Sequence, residues 1–83
     1  MRYFFHIVGA EDQPDNQGQE IGSQSEARVG AVKFASDYLR DRSELIWMGE
    51  EFRVEVCDED KRCLFTFIAV GVDSPALDGR LRI

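Results

Sequence analysis

One amphipathic helical segment stands between two pairs of strand-like segments, and this order limits the folds open to the chain. The helix is predicted to start after Ser23, because SQSE forms a capping box with Glu26. Apolar residues then recur at helical spacing on one side: Ala27, Ala31, Phe34, Ala35, Tyr38 and Leu39. A single helix of this kind covers one face of a sheet. The sequence therefore predicts an α+β domain with β-β-α-β-β order and an antiparallel sheet.

The strand-like segments indicate which side chains face the helix. RYFFHIV and FRVEVC alternate in character, so successive residues point to opposite faces of the sheet. RCLFTFIAV is apolar on both faces, and QEI is expected to be a short strand antiparallel to the first. The inward set of the two alternating strands is predicted to be Tyr3, Phe5, Ile7, Phe52, Val54 and Val56.

Polar and irregular segments complete the chain. GAEDQPDNQG, residues 9–18, is a loop rich in Gly, Pro, Asp and Asn. SELIWMG, residues 43–49, is a connector whose Trp47 is expected to fold back over the open end of the core. Residues 71–83 have no periodicity, so we expect a loop-like or partly disordered tail after a single domain at residues 1–70.

Charge and length exclude several functional classes. The chain has 83 residues, with 16 acidic and 10 basic residues and a net charge of −6. No basic stripe is present, which argues against direct binding of nucleic acid or of anionic membrane surfaces. No apolar stretch approaches the ~20 residues of a membrane-spanning helix, and the apolar opening is too short for a secretory signal. We therefore expect a cytoplasmic protein.

Cys57 and Cys63 flank a charged run in the predicted hairpin of the last two strands. The register that opposes Val56 to Phe65 builds an apolar layer, and it places the two thiols on opposite faces of the sheet. The alternative register pairs the cysteines directly but breaks that layer. We therefore expect two free thiols that cannot bridge.

Residues with catalytic or metal-binding chemistry are few and scattered. His6 lies between apolar neighbours and is expected to be half-buried and hydrogen-bonded to a neighbouring strand or carboxylate. Two cysteines and one histidine do not supply a zinc ligand set, and no base is placed beside either thiol. The acidic loop, aligned on Gly18, lacks the EF-hand pattern and is read as solvated; Asp58 is likewise read as an exposed hairpin position. We expect no catalytic residue, no cofactor and no metal site.

The sheet face away from the helix is expected to be exposed and partly apolar. Its predicted members form a possible interaction face: Phe4, His6, Val8, Arg53, Glu55, Cys57, Leu64, Thr66, Ile68 and Val70. Such a patch is uncommon on a soluble monomer. A homodimer or an unknown protein partner is therefore expected to cover it. The alternative is a cover formed by the tail, with Pro75, Ala76 and Leu77.

These observations favour a small non-enzymatic interaction or regulatory module. Two alternatives stay open. One is an antitoxin-like acidic protein that binds a basic RNA-cleaving partner. The other is a small-molecule binder or enzyme that uses His6 and the acidic loop.

Several short motifs follow one another in a specific order over roughly residues 2–70. They are RYFFHI, a D..G.E step at Asp15, Gly18 and Glu20, the helix start SEAR..A, and W.GEEFRVEV.DED...LFTF. Together they resemble a family of short bacterial proteins of unknown function. The resemblance implies no activity, cofactor or catalytic residue. Family members often have Asp-Gly at the hairpin turn, where this chain has Asp60-Lys61. The strand and helix order is also similar to antitoxin domains of the HicB type, a likeness of fold alone.

Overall fold

The computed structural model describes residues 1–49 and 51–74, which form an antiparallel sheet with one α-helix on one face. In chain order the elements are β1 (Arg2–Gly9), β2 (Gln19–Glu20), α1 (Gln24–Arg40), a 3-10 helix (Ser43–Trp47), β3 (Phe52–Cys57) and β4 (Cys63–Ala69). The strand order is β2-β1-β3-β4, and each neighbouring pair is antiparallel. The predicted α+β fold is therefore confirmed. Residues 71–74 have no regular secondary structure; the rest of the predicted tail, with its possible cover at Pro75, Ala76 and Leu77, lies outside the described residues.

Local side-chain chemistry starts α1 where the capping box predicted it. The Ser23 hydroxyl oxygen accepts the N–H of Glu26 at 3.1 Å. The same hydroxyl donates to the Glu26 carboxylate at 3.2 Å. The first turn of a helix leaves its N–H groups without partners inside the helix, so this cap stabilises the start of α1.

Three alanines allow α1 to approach the sheet closely. Ala27, Ala31 and Ala35 are all buried, and their i+4 spacing places them on one side of the helix. They belong to one core cluster with the inward side chains of β1 and β3: Tyr3, Phe5, Ile7, Phe52, Val54 and Val56. The inward set predicted from the alternation of the two strands is confirmed.

The β3–β4 pairing follows the predicted register only as far as the Val56–Phe65 pair. A β-bulge then shifts the register between Val56 and Cys57, so that Cys57 pairs directly with Cys63. The prediction that the two thiols lie on opposite faces is therefore wrong. Leu64 is the extra residue of the bulge, and it packs against the buried core instead of joining the outward-facing side chains.

The hairpin turn explains this shift. The carbonyl of Asp58 accepts the N–H of Lys61, and the N–H of Asp58 donates to the carbonyl of Arg62, both at 3.0 Å. The loop thus comprises Glu59, Asp60 and Lys61, rather than the two residues predicted. Lys61 adopts a φ of +65°, a left-handed conformation that is uncommon for lysine. A type I turn followed by such a residue is a recognised hairpin connection with a bulge, and it changes the register by one residue.

Trp47 does not cover the core as predicted. It is 63% exposed, whereas Leu45 of the same 3-10 helix is buried and Ile46 packs against the core. The Trp47 ring lies on the backbone of Gly71, where an added Cβ would stand only 2.5 Å from the ring. The prediction thus named the wrong side chain of the connector, because Ile46 and not Trp47 packs against the core.

Candidate functional site

The sheet surface opposite α1, which we call the outer face, carries rows of side chains that cross the strands. Directly paired residues of neighbouring strands project from the same face, so the strand pairing defines each row. From the open end of the hairpin to its turn, the rows are Val8–Arg53–Ile68, His6–Glu55–Thr66 and Phe4–Cys57–Cys63. These rows contain every residue of the predicted interaction face except Leu64, which lies on the core side, and Val70, which follows β4 and is exposed.

Arg53 and Glu55 form the charged centre of the outer face. Nη1 of Arg53 lies 3.9 Å from the Glu55 carboxylate, and Nε lies 3.9 Å from the carboxylate of Glu51. Both separations are longer than a hydrogen bond. Within the part of the chain that the structure describes, the buried Nε has no hydrogen-bond partner. The Arg53 side chain is 35% exposed, so the outer N–H groups of its guanidinium can donate to a further carboxylate.

Apolar side chains lie next to this charged centre. Ile68 pairs with Arg53 and is 49% exposed, and Val70 is 59% exposed. Val8 on the other side of Arg53 is half-buried, as is Phe4 near the hairpin turn. The outer face thus combines exposed aliphatic area on β4 with charge on β3.

The acidic loop is attached to β1 through Asp15 and His6. The N–H of Asp15 donates to Nδ1 of His6 at 3.0 Å. The Asp15 carboxylate accepts the N–H groups of Phe5, Gln17 and Gly18 at 3.0–3.1 Å. Burial alone would raise the pKa of Asp15, but these three hydrogen bonds and the neighbouring His6 lower it below its usual value. His6 is half-buried and hydrogen-bonded as predicted, although its partner is a loop N–H, and Asp15 is a structural residue of the loop rather than a solvated one.

A cavity of about 420 Å³ lies at the turn end of the outer face. It is lined by Phe4, His6, Asp15, Asn16, Cys57, Asp58, Glu59 and Lys61. The cavity brings His6 and Cys57 to one place. This juxtaposition was not readable from the sequence, because it depends on the pairing of β1 with β3.

The groups in this cavity are poorly suited to nucleophilic catalysis. Burial and the adjacent Cys63 raise the pKa of the Cys57 thiol, which disfavours the reactive thiolate. Nδ1 of His6 is occupied by the loop N–H, and the Asp15 carboxylate already accepts three backbone hydrogen bonds. An activated nucleophile needs an available base beside it. The cavity is therefore better described as a recess of the outer face than as an active site.

Asp58 closes the turn beside this cavity. It is 4% exposed, which corrects the prediction of an exposed hairpin position. Its carboxylate accepts hydrogen bonds from the N–H of Asp60 and from both the backbone and the side chain of Arg62. The sequence signal for this role is an aspartate at the first position of a turn, where its side chain can bond to the backbone N–H two positions on.

A family model matches residues 2–70, which is most of the chain and includes every element from β1 to β4. The chain belongs to the family described as a domain of unknown function, DUF6894. DUF6894 carries no activity in its description, so the roles of the outer-face residues rest on geometry. Comparison with curated proteins finds no match, and comparison with solved structures finds none either.

Two further observations bear on the chemistry open to this DUF6894 chain. Across residues 1–49 and 51–74, no three side chains of His, Cys, Asp or Glu are grouped so that they would hold a metal ion. In the same two stretches, no helix has the length and apolar character needed to cross a membrane.

Proposed function

We propose that this DUF6894 chain is a small non-enzymatic interaction module, and that its outer face binds a second copy of the chain. The observation that carries this proposal is the pair of partly exposed charges on Arg53 and Glu55, 3.9 Å apart within one chain, next to the exposed Ile68. The two charges stand on one strand with one residue between them. A two-fold axis over Val54 therefore brings Arg53 of each copy to Glu55 of the other.

Charge complementarity favours a second copy over an unrelated partner. An isologous interface requires a surface that is complementary to itself, so that each contact occurs twice. Arg53 and Glu55 meet this requirement, because the positive charge of Arg53 in each copy faces the negative charge of Glu55 in the other. Within one chain their ion pair is long and partly exposed, and such pairs contribute little to stability. Exclusion of water in an interface would strengthen the attraction between Arg53 of one copy and Glu55 of the other.

Aliphatic residues of β4 would supply the apolar part of the contact. Ile68 and Val70 are the large exposed hydrophobic residues on the outer-face side of the hairpin. Their burial against a second copy would remove apolar surface from water, which is the general driving force of association. The half-buried Val8 extends this area across the sheet.

The two alternatives from the sequence have less support. A small-molecule site built from His6 and the acidic loop would use groups that already hold the loop in place. An antitoxin-like role has only the net charge of −6 in its support.

Sedimentation velocity over a wide range of concentrations tests the proposal. The wild-type chain is expected to shift from a 9.5 kDa species towards twice that mass as concentration rises. Ile68→Asp is expected to stay monomeric, because the new carboxylate stands beside Arg53 and competes with Glu55 of the second copy. Val32→Asp is the matched control: Val32 is 45% exposed on α1, so this variant should associate like the wild type. A single 9.5 kDa species at every concentration, or a dimer that survives Ile68→Asp, would refute the proposal.

A further inference from the structure

The β-bulge in the hairpin brings the two cysteines of the chain together. Cys57 and Cys63 are direct partners across β3 and β4, so their side chains leave the sheet on the same face. The hydrogen bond from the N–H of Asp58 to the carbonyl of Arg62 belongs to the next pair towards the turn. Hydrogen-bonded and non-hydrogen-bonded pairs alternate in an antiparallel ladder, so Cys57 and Cys63 form a non-hydrogen-bonded pair. The Cα atoms of such a pair are about 4.5 Å apart. That spacing falls within the range of about 4.4–6.8 Å found in disulfides.

The two thiols differ in their access to solvent. Cys63 is exposed, and its Sγ lies 3.7 Å from the carbonyl of Phe65 and 3.8 Å from the hydroxyl of Thr66. Cys57 is only 8% exposed. A small oxidant in solution can therefore reach the sulfur of Cys63, whereas Cys57 is reached mainly by its neighbour.

We propose that Cys57 and Cys63 form a dithiol site that reacts with small-molecule disulfides of the glutathione type and closes to a cross-strand disulfide. The Cys63 thiolate attacks one sulfur of oxidised glutathione, which releases one glutathione thiolate and forms a mixed disulfide. The Cys57 thiolate then attacks the Cys63 sulfur and releases the second glutathione thiolate. The protein loses two protons and two electrons, and oxidised glutathione is reduced to two glutathione molecules.

The order of these steps follows from the surroundings of the sulfurs. Burial and the nearby Cys63 raise the pKa of Cys57, so Cys57 is the slower thiol to attack an external disulfide. Once a mixed disulfide stands on Cys63, the direct cross-strand pairing presents its sulfur to Cys57. The proposal rests on the hairpin register and not on the outer-face dimer, so each of the two can fail without the other.

Intact-mass spectrometry of the full chain, after reaction with oxidised glutathione and alkylation of remaining thiols, tests this site. The wild type is expected to lose the mass of two hydrogen atoms and to retain no alkylated thiol. Cys57→Ser is expected to stop at one stable glutathione adduct on Cys63. Cys63→Ser is expected to react more slowly than Cys57→Ser, because only the buried thiol remains. Peptide mapping would locate the wild-type bond between Cys57 and Cys63.

A trivalent arsenical, phenylarsine oxide, gives a second readout that needs no oxidation. Two facing thiols should bind it in a one-to-one adduct that a monothiol does not displace, and each serine variant should lose this adduct. The proposal is overturned if wild-type protein accumulates glutathione adducts without closing, forms disulfides between chains, or leaves both thiols unreacted. Failure to bind the arsenical would equally contradict the facing arrangement.

Discussion

The carboxylate of Asp58 accepts hydrogen bonds from both the backbone N–H and the Nε of Arg62, at 2.9 and 3.0 Å. Asp58 also accepts the N–H of Asp60 at 2.9 Å. One buried carboxylate at the start of the turn thus binds Asp60 inside the loop and Arg62 after it, and Lys61 between them has a positive φ. This arrangement holds the turn in the shape that pairs Cys57 with Cys63.

The first prediction is that Asp58→Ala destabilises the fold more than Glu59→Ala does. The alanine leaves the N–H of Arg62 and that of Asp60 without their acceptor at a buried position, whereas Glu59 is an exposed residue of the same turn. Thermal unfolding followed by circular dichroism compares the two variants. Equal melting temperatures would mean that the Asp58 carboxylate does not hold the turn.

The second prediction concerns the stability of the fold at low pH. The N–H of Arg62 is the largest cause that lowers the pKa of Asp58, and the hydrogen bonds described above lower that of Asp15, from an ordinary value of 3.8. A carboxylate with a lowered pKa binds fewer protons in the folded chain than in the unfolded chain. Its contribution is therefore complete above the ordinary value and is lost as pH falls through the lowered pKa.

Urea unfolding between neutral pH and about pH 3 measures this loss. The free energy of unfolding of the wild type should fall at the acid end, and Asp15→Asn should make that fall shallower. Asp37→Asn serves as control, because Asp37 is 75% exposed and makes only a 3.6 Å ion pair with Arg40. An acid slope that Asp15→Asn leaves unchanged would show that the loop carboxylate is not linked to folding.

The third prediction tests the start of α1. Ser23→Ala should cost about 1 kcal/mol of stability, the usual effect of removing an N-cap hydroxyl. Ser25→Ala, two residues later and exposed, should cost less, because the N–H of Glu26 bonds to Ser23. Chemical denaturation of both variants decides between them. A larger loss of stability with Ser25→Ala than with Ser23→Ala would show that Ser23 is not the N-cap of α1.

The fourth prediction tests the packing of α1 on the sheet. Ala35 is 1% exposed and packs in the core. Ala35→Leu should therefore overpack the core and lower the free energy of unfolding by roughly 1–3 kcal/mol. Lys33→Leu on the exposed side of the same helix should change the free energy of unfolding little. Denaturation midpoints of the two leucine variants give the comparison. Similar losses in both would contradict the assignment of the helix faces.

Local and periodic features of the chain were readable from its sequence. The alternation in β1 and β3 has a period of two, so it predicted the faces of Phe5 and Val54 without knowledge of the strand order. The cap at Ser23 depends on residues within one turn, and the side of α1 that carries Ala31 follows from helical spacing. These features need no information about distant parts of the chain.

Features that are set by one backbone angle or by tertiary contact could not be predicted from the sequence. The pairing of Cys57 with Cys63 depends on a positive φ at Lys61, a conformation for which lysine has no preference. The approach of His6 to Asp15 depends on how a polar loop folds back onto β1. Several apolar residues of the connector were equally suited to cover the core, and only packing places Ile46 against the core cluster while Trp47 stays exposed.

The central claim is that Arg53 of one copy meets Glu55 of the other on the outer face, and a charge-exchange mixing experiment tests it most directly. Arg53→Glu and Glu55→Arg each place like charges across the proposed two-fold axis, so each variant alone should be monomeric. In a mixture, every such contact becomes an opposite-charge pair. Native mass spectrometry should therefore detect a heterodimer in the mixture and no dimer of either variant alone. Homodimers of the single variants, or a mixture that stays monomeric while the wild type dimerises, would contradict the account.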